Sequence, residues 1–321
     1  MQRILIARAV FDEVVAELAR DFEVDANQSD IILTPDRLAE RLQSKAGVLT
    51  TVMDKVDDSV MARCPDLKVI SNIAVGYNNV DVAAATKRGI MVTNTPDVLN
   101  EATADLTWAL MMAAARRVAE GDAYVRRGEW QVAFSMQSFL GADLHGATLG
   151  IVGMGRIGQA IVRRAQGFSM RVLYNNRTRL DAATEQKLNV QYAERDRVLA
   201  EADFLVVMVP YSQATHHFIK AEDIAKMKPT AILVNTARGG IVDDAALVAA
   251  LKAKKIAGAA VDVFEGEPKL NPGYLQLSNV VLTPHIGSAT RSTRLAMLRL
   301  AAKNLTAALK GEVPPNLVNP R

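Results

Sequence analysis

The sequence predicts an α/β protein built from two parallel-sheet units. Three observations carry this. Short apolar runs alternate with helical patterns along most of the chain. The alternation comes in two series, separated by one long helical stretch. And 321 residues are about two domains at roughly 150 residues each. Strands separated by helices imply parallel pairing through crossover helices.

In the first series, Arg3-Ile4-Leu5-Ile6-Ala7 reads as a strand and Val14 to Ala19 as an amphipathic helix. Strands follow at Gly47–Thr50, Leu67–Ile70 and Gly89–Val92, with apolar residues at spacings of three and four between them. From Glu101 to about Arg127 the pattern is helical, and a loop rich in aromatic and small polar residues covers Gln131 to Asp143. The second series places strands at Thr148–Val152, Arg171–Tyr174, Phe204–Val209, Ala231–Asn235, Ile256–Val261 and Val280–Thr283. These are nearly all apolar, as in a sheet covered on both faces. Ala289 to Leu309 reads as a helix, which Pro314-Pro315 prevents from continuing.

Composition narrows the function classes. Half the residues are apolar and 23% charged, enough for two cores and too little charge for a disordered chain. A formal charge of +3 with no basic stripe gives no footing for nucleic acid. The single cysteine, Cys64, excludes an internal disulfide and any multi-thiolate zinc site, and fits a reducing compartment. Arg8, Asp12 and Glu13 interrupt the N-terminal apolar residues, unlike a signal peptide, and no run approaches the roughly 18 residues of a membrane span. The expectation is a soluble, cytoplasmic protein without membrane or nucleic-acid partners.

The strongest local signal is Gly153-Met154-Gly155-Arg156-Ile157-Gly158, directly after the apolar Leu149–Val152 and opening a helix to about Phe168. Strand, glycine turn, helix and next strand within about 30 residues is the setting of a dinucleotide site. Gly153 permits the tight turn, Gly155 lets the pyrophosphate approach the backbone, and Gly158 lets the helix pack closely on the strand. The helix N-terminus turns its N–H groups to the phosphates. An NAD site would place Asp or Glu after the next strand, yet no acid occurs before Asp181. Asn176, Arg177 and Thr178 stand there instead, with Arg179 beyond, offering donors to a 2′-phosphate. NADPH is therefore expected to be preferred, with NADH possible as the weaker cofactor.

Three further polar segments follow apolar strands: Asn235–Gly240, Val261–Pro268 and Thr283–Ser288. His285, between Pro284 and Ile286-Gly287, is the one histidine of four at a strand end. With Val75-Gly76-Tyr77-Asn78-Asn79-Val80-Asp81 and the Leu149–Gly158 segment, the whole chain resembles the D-isomer-specific 2-hydroxyacid dehydrogenases. Within them it is most similar to bacterial glyoxylate/hydroxypyruvate reductases, also called 2-ketogluconate reductases. The Asn/Arg segment after Tyr174 and His285–Thr290 carry that closer match.

The resemblance implies two Rossmann-like or flavodoxin-like parallel-sheet domains with a cleft between them. Residues 1–99 plus 287–321 would bind substrate and 100–286 would bind the NAD(P) cofactor. It assigns Arg238 to the keto acid's carboxylate and keto oxygen, His285 to proton donation, and Glu267 to the other imidazole nitrogen. Glu265 is the competing carboxylate; the resemblance favours Glu267, immediately before Pro268. Val75 and Gly76 would grip the substrate carboxylate through backbone N–H groups, with Val52 and Met53 as candidates for lining the pocket or for ordinary loop packing. Thr103, Pro210, Thr236, Ala237, Gly287 and Asp262 join the cofactor set, Asp262 near the carboxamide or else as a turn cap. The 101–143 region resembles the family's dimerisation segment, from which Trp130 or Phe134 would reach a partner's active site. His216-His217 is read as non-metal, because adjacent histidines point in different directions and no acidic cluster completes a site. Two alternatives stay open: an NAD-dependent relative acting on phosphoglycerate or D-lactate, and a dinucleotide-sensing, corepressor-like binding protein.

Overall fold

The computed structural model describes residues 1–319; residues 320 and 321, the end of the expected 287–321 segment, lie outside the described residues. Two compact units are formed, one from Met1–Leu99 with the chain from Ala289 onward, the other from Asn100–Ser288.

The first unit holds a five-stranded parallel sheet: β1 (Gln2–Ile6), β2 (Phe22–Ala26), β3 (Gly47–Thr50), β4 (Val69–Asn72) and β5 (Met91–Thr93), in the order β2-β1-β3-β4-β5. Side chains alternate between its faces. Leu5, Val48, Ile70 and Val92 join Leu38, Leu42, Val60 and Met61 from the helices on one side. Ile4, Ile6, Leu49 and Val69 join Val14 and Leu18 on the other, where the Arg291–Leu309 helix adds Leu298, Ala301 and Leu305. The C-terminal helix is therefore part of this core. β2 is absent from the sequence reading: as an edge strand carrying Glu23 and Asp25, it lacks the apolar continuity of the inner strands.

The second unit holds seven parallel strands: β6 (Thr148–Val152), β7 (Arg171–Asn175), β8 (Val190–Tyr192), β9 (Phe204–Val207), β10 (Ile232–Asn235), β11 (Gly258–Val261) and β12 (Val280–Leu282), ordered β12-β11-β10-β9-β6-β7-β8. The helical stretch from Glu101 to Arg127 is two helices, Asn100–Ala115 and Val118–Arg126. Arg117 takes a left-handed φ of 52°, and the returning chain caps the first helix by Ala142 N–H donating to Ala115 O at 2.9 Å.

Strand direction positions the site. Val152 pairs with Val207, Val207 with Asn235, Asn235 with Val261, and Val261 with Leu282. The segments following all five strands thus leave the sheet along one edge. Strand order reverses at β6, with β7 and β8 to one side and β9 to β12 to the other. In open α/β sheets, ligands bind beyond the carboxyl ends at such a reversal.

Candidate active site at the strand ends

The glycine turn leaves β6 with Gly153 at φ 105°, where a Cβ would stand 2.5 Å from the Met208 carbonyl carbon. A Cβ on Gly158 would stand 2.7 Å from Gly153 O, so both positions need glycine. Gly155 differs: a Cβ there would meet no protein atom within 4 Å. It is the N-cap of the Arg156–Gly167 helix and supplies no capping side chain, so its face is open and leads to helical N–H donors. Arg156 is exposed and Ile157 half-buried. Pro210, exposed beyond β9, follows the Met208–Val209 backbone against which Gly153 packs.

Beyond β7 the nearby carboxylates are already engaged. Asp181 caps the Ala182–Leu188 helix, accepting from Thr184 N at 2.9 Å and Thr184 Oγ1 at 2.7 Å. Glu185 takes both arms of Arg179, at 2.8 and 2.7 Å, and the Tyr174 hydroxyl at 2.6 Å. Those bonds hold the Glu185 carboxyl down at about 2, while burial and the Glu185 bond push the Tyr174 phenol up to about 12. Arg179 is thereby committed to Glu185, which leaves Arg177 and Thr178 as the exposed donors, next to Asn176, whose Nδ2 donates to Thr178 O at 3.0 Å.

The chemistry concentrates on β10, β11 and β12. His285 Nδ1 and Glu267 Oε2 stand 2.7 Å apart, and Glu267 Oε1 accepts from Phe264 N at 2.7 Å. Burial pushes the Glu267 carboxyl up, but the His285 bond and charge, the Phe264 N–H and Arg238 together outweigh it and hold it below the usual carboxylate range. An ionised Glu267 on Nδ1 leaves Nε2 as the nitrogen open to a substrate. His285 has a left-handed φ of 53°. Asp262, 1% exposed, sustains that turn: Oδ1 accepts from Thr283 Oγ1 at 2.6 Å and Ile286 N at 2.8 Å, and Oδ2 from Gly287 N at 2.9 Å. Of the two roles read for Asp262, these bonds make it the turn's organiser. They also explain why the second unit runs to Ser288.

Arg238 is half-buried. Its Nη1 donates to Ala237 O at 2.8 Å, while its Nε is enclosed without a partner. Burial lowers the guanidinium from its ordinary value, opposed by Glu267. Asn235 holds this turn, accepting from Ala237 N at 3.2 Å and donating to Arg238 O at 3.3 Å. Sequence reasoning missed Asn235, although an asparagine at a strand end bonding two residues onward is a readable Asx-turn signal. Thr107 was missed too: its hydroxyl lies 2.6 Å from that of Thr236 and donates to Thr103 O at 2.7 Å. Thr103 also stands against Gly287.

In the first unit, Met53 follows β3, and Val75 and Gly76 follow the neighbouring β4. Asn94 donates to Val75 O and Asn72 to Gly76 O, both at 2.9 Å, so the carbonyls are pinned. Among the described residues, the Val75 and Gly76 N–H groups make no hydrogen bond.

One expectation is corrected. The His216 and His217 rings do not diverge but stack, with centroids 3.9 Å apart and planes 22° from parallel. A left-handed φ of 48° at His217 folds its ring back, and Glu265 completes a group of three. No helix among the described residues is long and apolar enough to cross a membrane.

The open face at Gly155, the uncapped helix start, the Arg177–Thr178 donors and the orphaned Arg238 Nε together fit a dinucleotide beside a small anion. Residues 108–287 match the model of the D-isomer specific 2-hydroxyacid dehydrogenase, NAD binding domain. The chain is similar to a glyoxylate reductase of Pyrococcus furiosus, 48% identical over 320 residues, covering 99% of this chain and 95% of that one. Its fold is similar to the TT0316 protein of Thermus thermophilus, at TM-score 0.91 and 44% identity, over 99% of this chain and 100% of that one. It is also similar to the NADPH-dependent glyoxylate/hydroxypyruvate reductase of Sinorhizobium meliloti, solved with NADP and malonate, at TM-score 0.87 and 34% identity, over 99% and 96% of the two chains.

Proposed function

The chain belongs to the D-isomer-specific 2-hydroxyacid dehydrogenase family, and from that premise we propose that it reduces small 2-keto acids to D-2-hydroxy acids with NADPH. Glyoxylate and hydroxypyruvate are the first substrates, 2-ketogluconate the next. The Glu267–His285 pair at 2.7 Å, with Arg238 Nε enclosed and unpartnered on the same strand-end edge, carries this reading.

When bound, the nicotinamide supplies a hydride for C2 of the keto acid. Arg238 binds the carboxylate through its fork of donors and polarises the keto oxygen. His285 gives that oxygen a proton from Nε2 while Glu267 holds Nδ1. Asp262 holds the backbone of the 283–287 turn, and so the ring's position. The open N–H groups of Val75 and Gly76 suit an anion as well. The test follows NADPH consumption with a panel of keto acids. Tight NADPH binding with no turnover on any of them would favour a dinucleotide-sensing protein instead.

Cofactor choice rests on Arg177 and Thr178, since Asp181 and Glu185 are bound elsewhere. One charge-assisted contact of about 1.5–3 kcal/mol corresponds to roughly 10- to 100-fold discrimination. Arg177→Ala is expected to reduce the NADPH/NADH ratio of kcat/KM by that factor. An unchanged ratio rules the assignment out.

We also propose a homodimer. Trp130, Val132, Phe134, Met136 and Leu140 are 59% to 80% exposed within eleven residues, more apolar surface than a monomer ordinarily leaves in water. Sedimentation should give twice the chain mass, and a Val132→Ser/Phe134→Ser variant should shift it toward the monomer. A wild-type monomer at micromolar concentration would refute this. A cytoplasmic setting suits the free, buried Cys64.

A further inference from the structure

We propose that His216, His217 and Glu265 form a site for a divalent transition-metal cation of the zinc class, separate from the groups of the reductase reading. One ligand atom of each residue lies within 4.8 Å of those of the other two. His217 Nε2 and Glu265 Oε2 are already 3.0 Å apart. Tetrahedral zinc with ligands at 2.0–2.2 Å sets its donors about 3.4 Å from one another. That pair is thus nearly in place, and His216, within 4.8 Å, has up to about 1.4 Å to close. Its stacked ring must also turn so that its lone pair converges on the cation. That is rotation about χ2, a broad and soft torsion for imidazole.

The outer partners of the histidines strengthen the case. Metal-bound imidazoles characteristically have their second nitrogen held by an oxygen group. Here the Tyr211 hydroxyl is within hydrogen-bond reach of His216 Nδ1 at 3.2 Å, while Asp243 Oδ2, 3.9 Å from His217 Nδ1, offers charge nearby without a hydrogen bond. His217 Nε2 is the nitrogen that faces Glu265.

The three residues are also tied together by backbone. His217 N donates to Gly240 O at 2.7 Å, and Ile219 N to Ile241 O at 3.1 Å. Glu265 N donates to Asp244 Oδ2 at 3.0 Å. A Cβ on Gly239 would fall 1.8 Å from Phe264 O, so the 239–240 turn runs directly against the segment bearing Glu265. A cation here would join the two segments that flank that turn. Two nitrogens and one oxygen select zinc, cobalt, nickel or copper over magnesium and calcium, which take oxygen ligands. Three protein ligands leave a fourth position to water.

Cobalt(II) is the probe. Titrated into tag-free protein, it should give visible d–d bands that saturate at one ion per chain, bleach on adding zinc, and persist with excess magnesium. His217→Ala, His216→Ala and Glu265→Gln should each weaken cobalt binding at least about tenfold, as expected when one of three ligands is lost. His285→Ala should leave it unchanged. Glu265 is exposed, so its glutamine variant keeps the test open if a histidine variant fails to fold. Absence of cobalt binding would overturn the proposal. So would binding that survives all three substitutions, or binding abolished by His285→Ala.

Discussion

His285→Ala is expected to lower kcat for keto-acid reduction by about 10²–10⁴-fold, the usual worth of a positioned general acid. KM for NADPH should hardly move, because the glycine turn and the Arg177–Thr178 donors are untouched. The substitution has structural consequences that must be separated from the chemical one. Alanine is disfavoured at a φ of 53°, and removing the imidazole deprives the half-buried Glu267 of its partner at 2.7 Å. His285→Asn is the matching control. Asparagine accepts left-handed backbone and can still donate to Glu267, but it cannot deliver a proton. It should therefore retain most of the wild-type Tm while losing kcat as fully as the alanine variant. The pH profile adds an independent readout. Reduction takes up a proton at the keto oxygen, so its rate falls as pH rises. Oxidation of the hydroxy acid releases one, and its rate rises with pH. Both limbs should vanish in His285→Asn. A variant that kept the falling limb, with hydride transfer rate-limiting, would remove His285 from the reaction.

Much of this site was legible because its signals are local. Gly153, Gly155 and Gly158 announce a turn whose backbone demands are set within six residues, and the structure shows them as close approaches at Gly153 and Gly158 and as an open face at Gly155. His285 and Glu267 stand beside prolines just beyond apolar strands, where an α/β sheet places ligands. What was not legible depended on distant partners or on backbone sign. The break after Ala115 is made by Ala142 returning from 27 positions along the chain. Arg179 looked equivalent to Arg177 until Glu185 took its guanidinium. β8 is three residues long at a sheet edge, too short to show a period. The stacked histidines followed from a positive φ at His217, a residue with nothing in its local sequence to announce it. Asp262 was ambiguous for a related reason: a buried acid after a strand serves a ligand or a turn equally well until its acceptor contacts are known.

Arg238→Ala should reduce kcat/KM for the keto acid by about 10²–10⁴-fold, as expected for loss of two charge-assisted bonds of about 1.5–3 kcal/mol each. Both parameters should share the loss. The carboxylate contact acts in the ground state and raises KM when removed, whereas the contact to the keto oxygen strengthens as charge develops there and lowers kcat. Arg238→Lys keeps the charge but replaces a planar fork with a point donor on a flexible stem, so it should recover only part of the activity. Stability separates this from a structural role. Without ligand, Arg238 Nε is enclosed and unpartnered, a cost the folded protein bears. Against this, alanine forfeits the Nη1 bond to Ala237 O and the attraction to Glu267. These terms oppose one another, so the Tm of the ligand-free variant should stay near that of the wild type or rise, as when a site residue is held for function at the expense of stability. The effect should reverse in the presence of a non-reacting dicarboxylate such as malonate: the wild type gains Tm by binding it and the alanine variant does not. If Arg238→Ala lost Tm and activity in parallel and still responded to malonate like the wild type, Arg238 would belong to the packing of the β10 turn and not to recognition of the substrate.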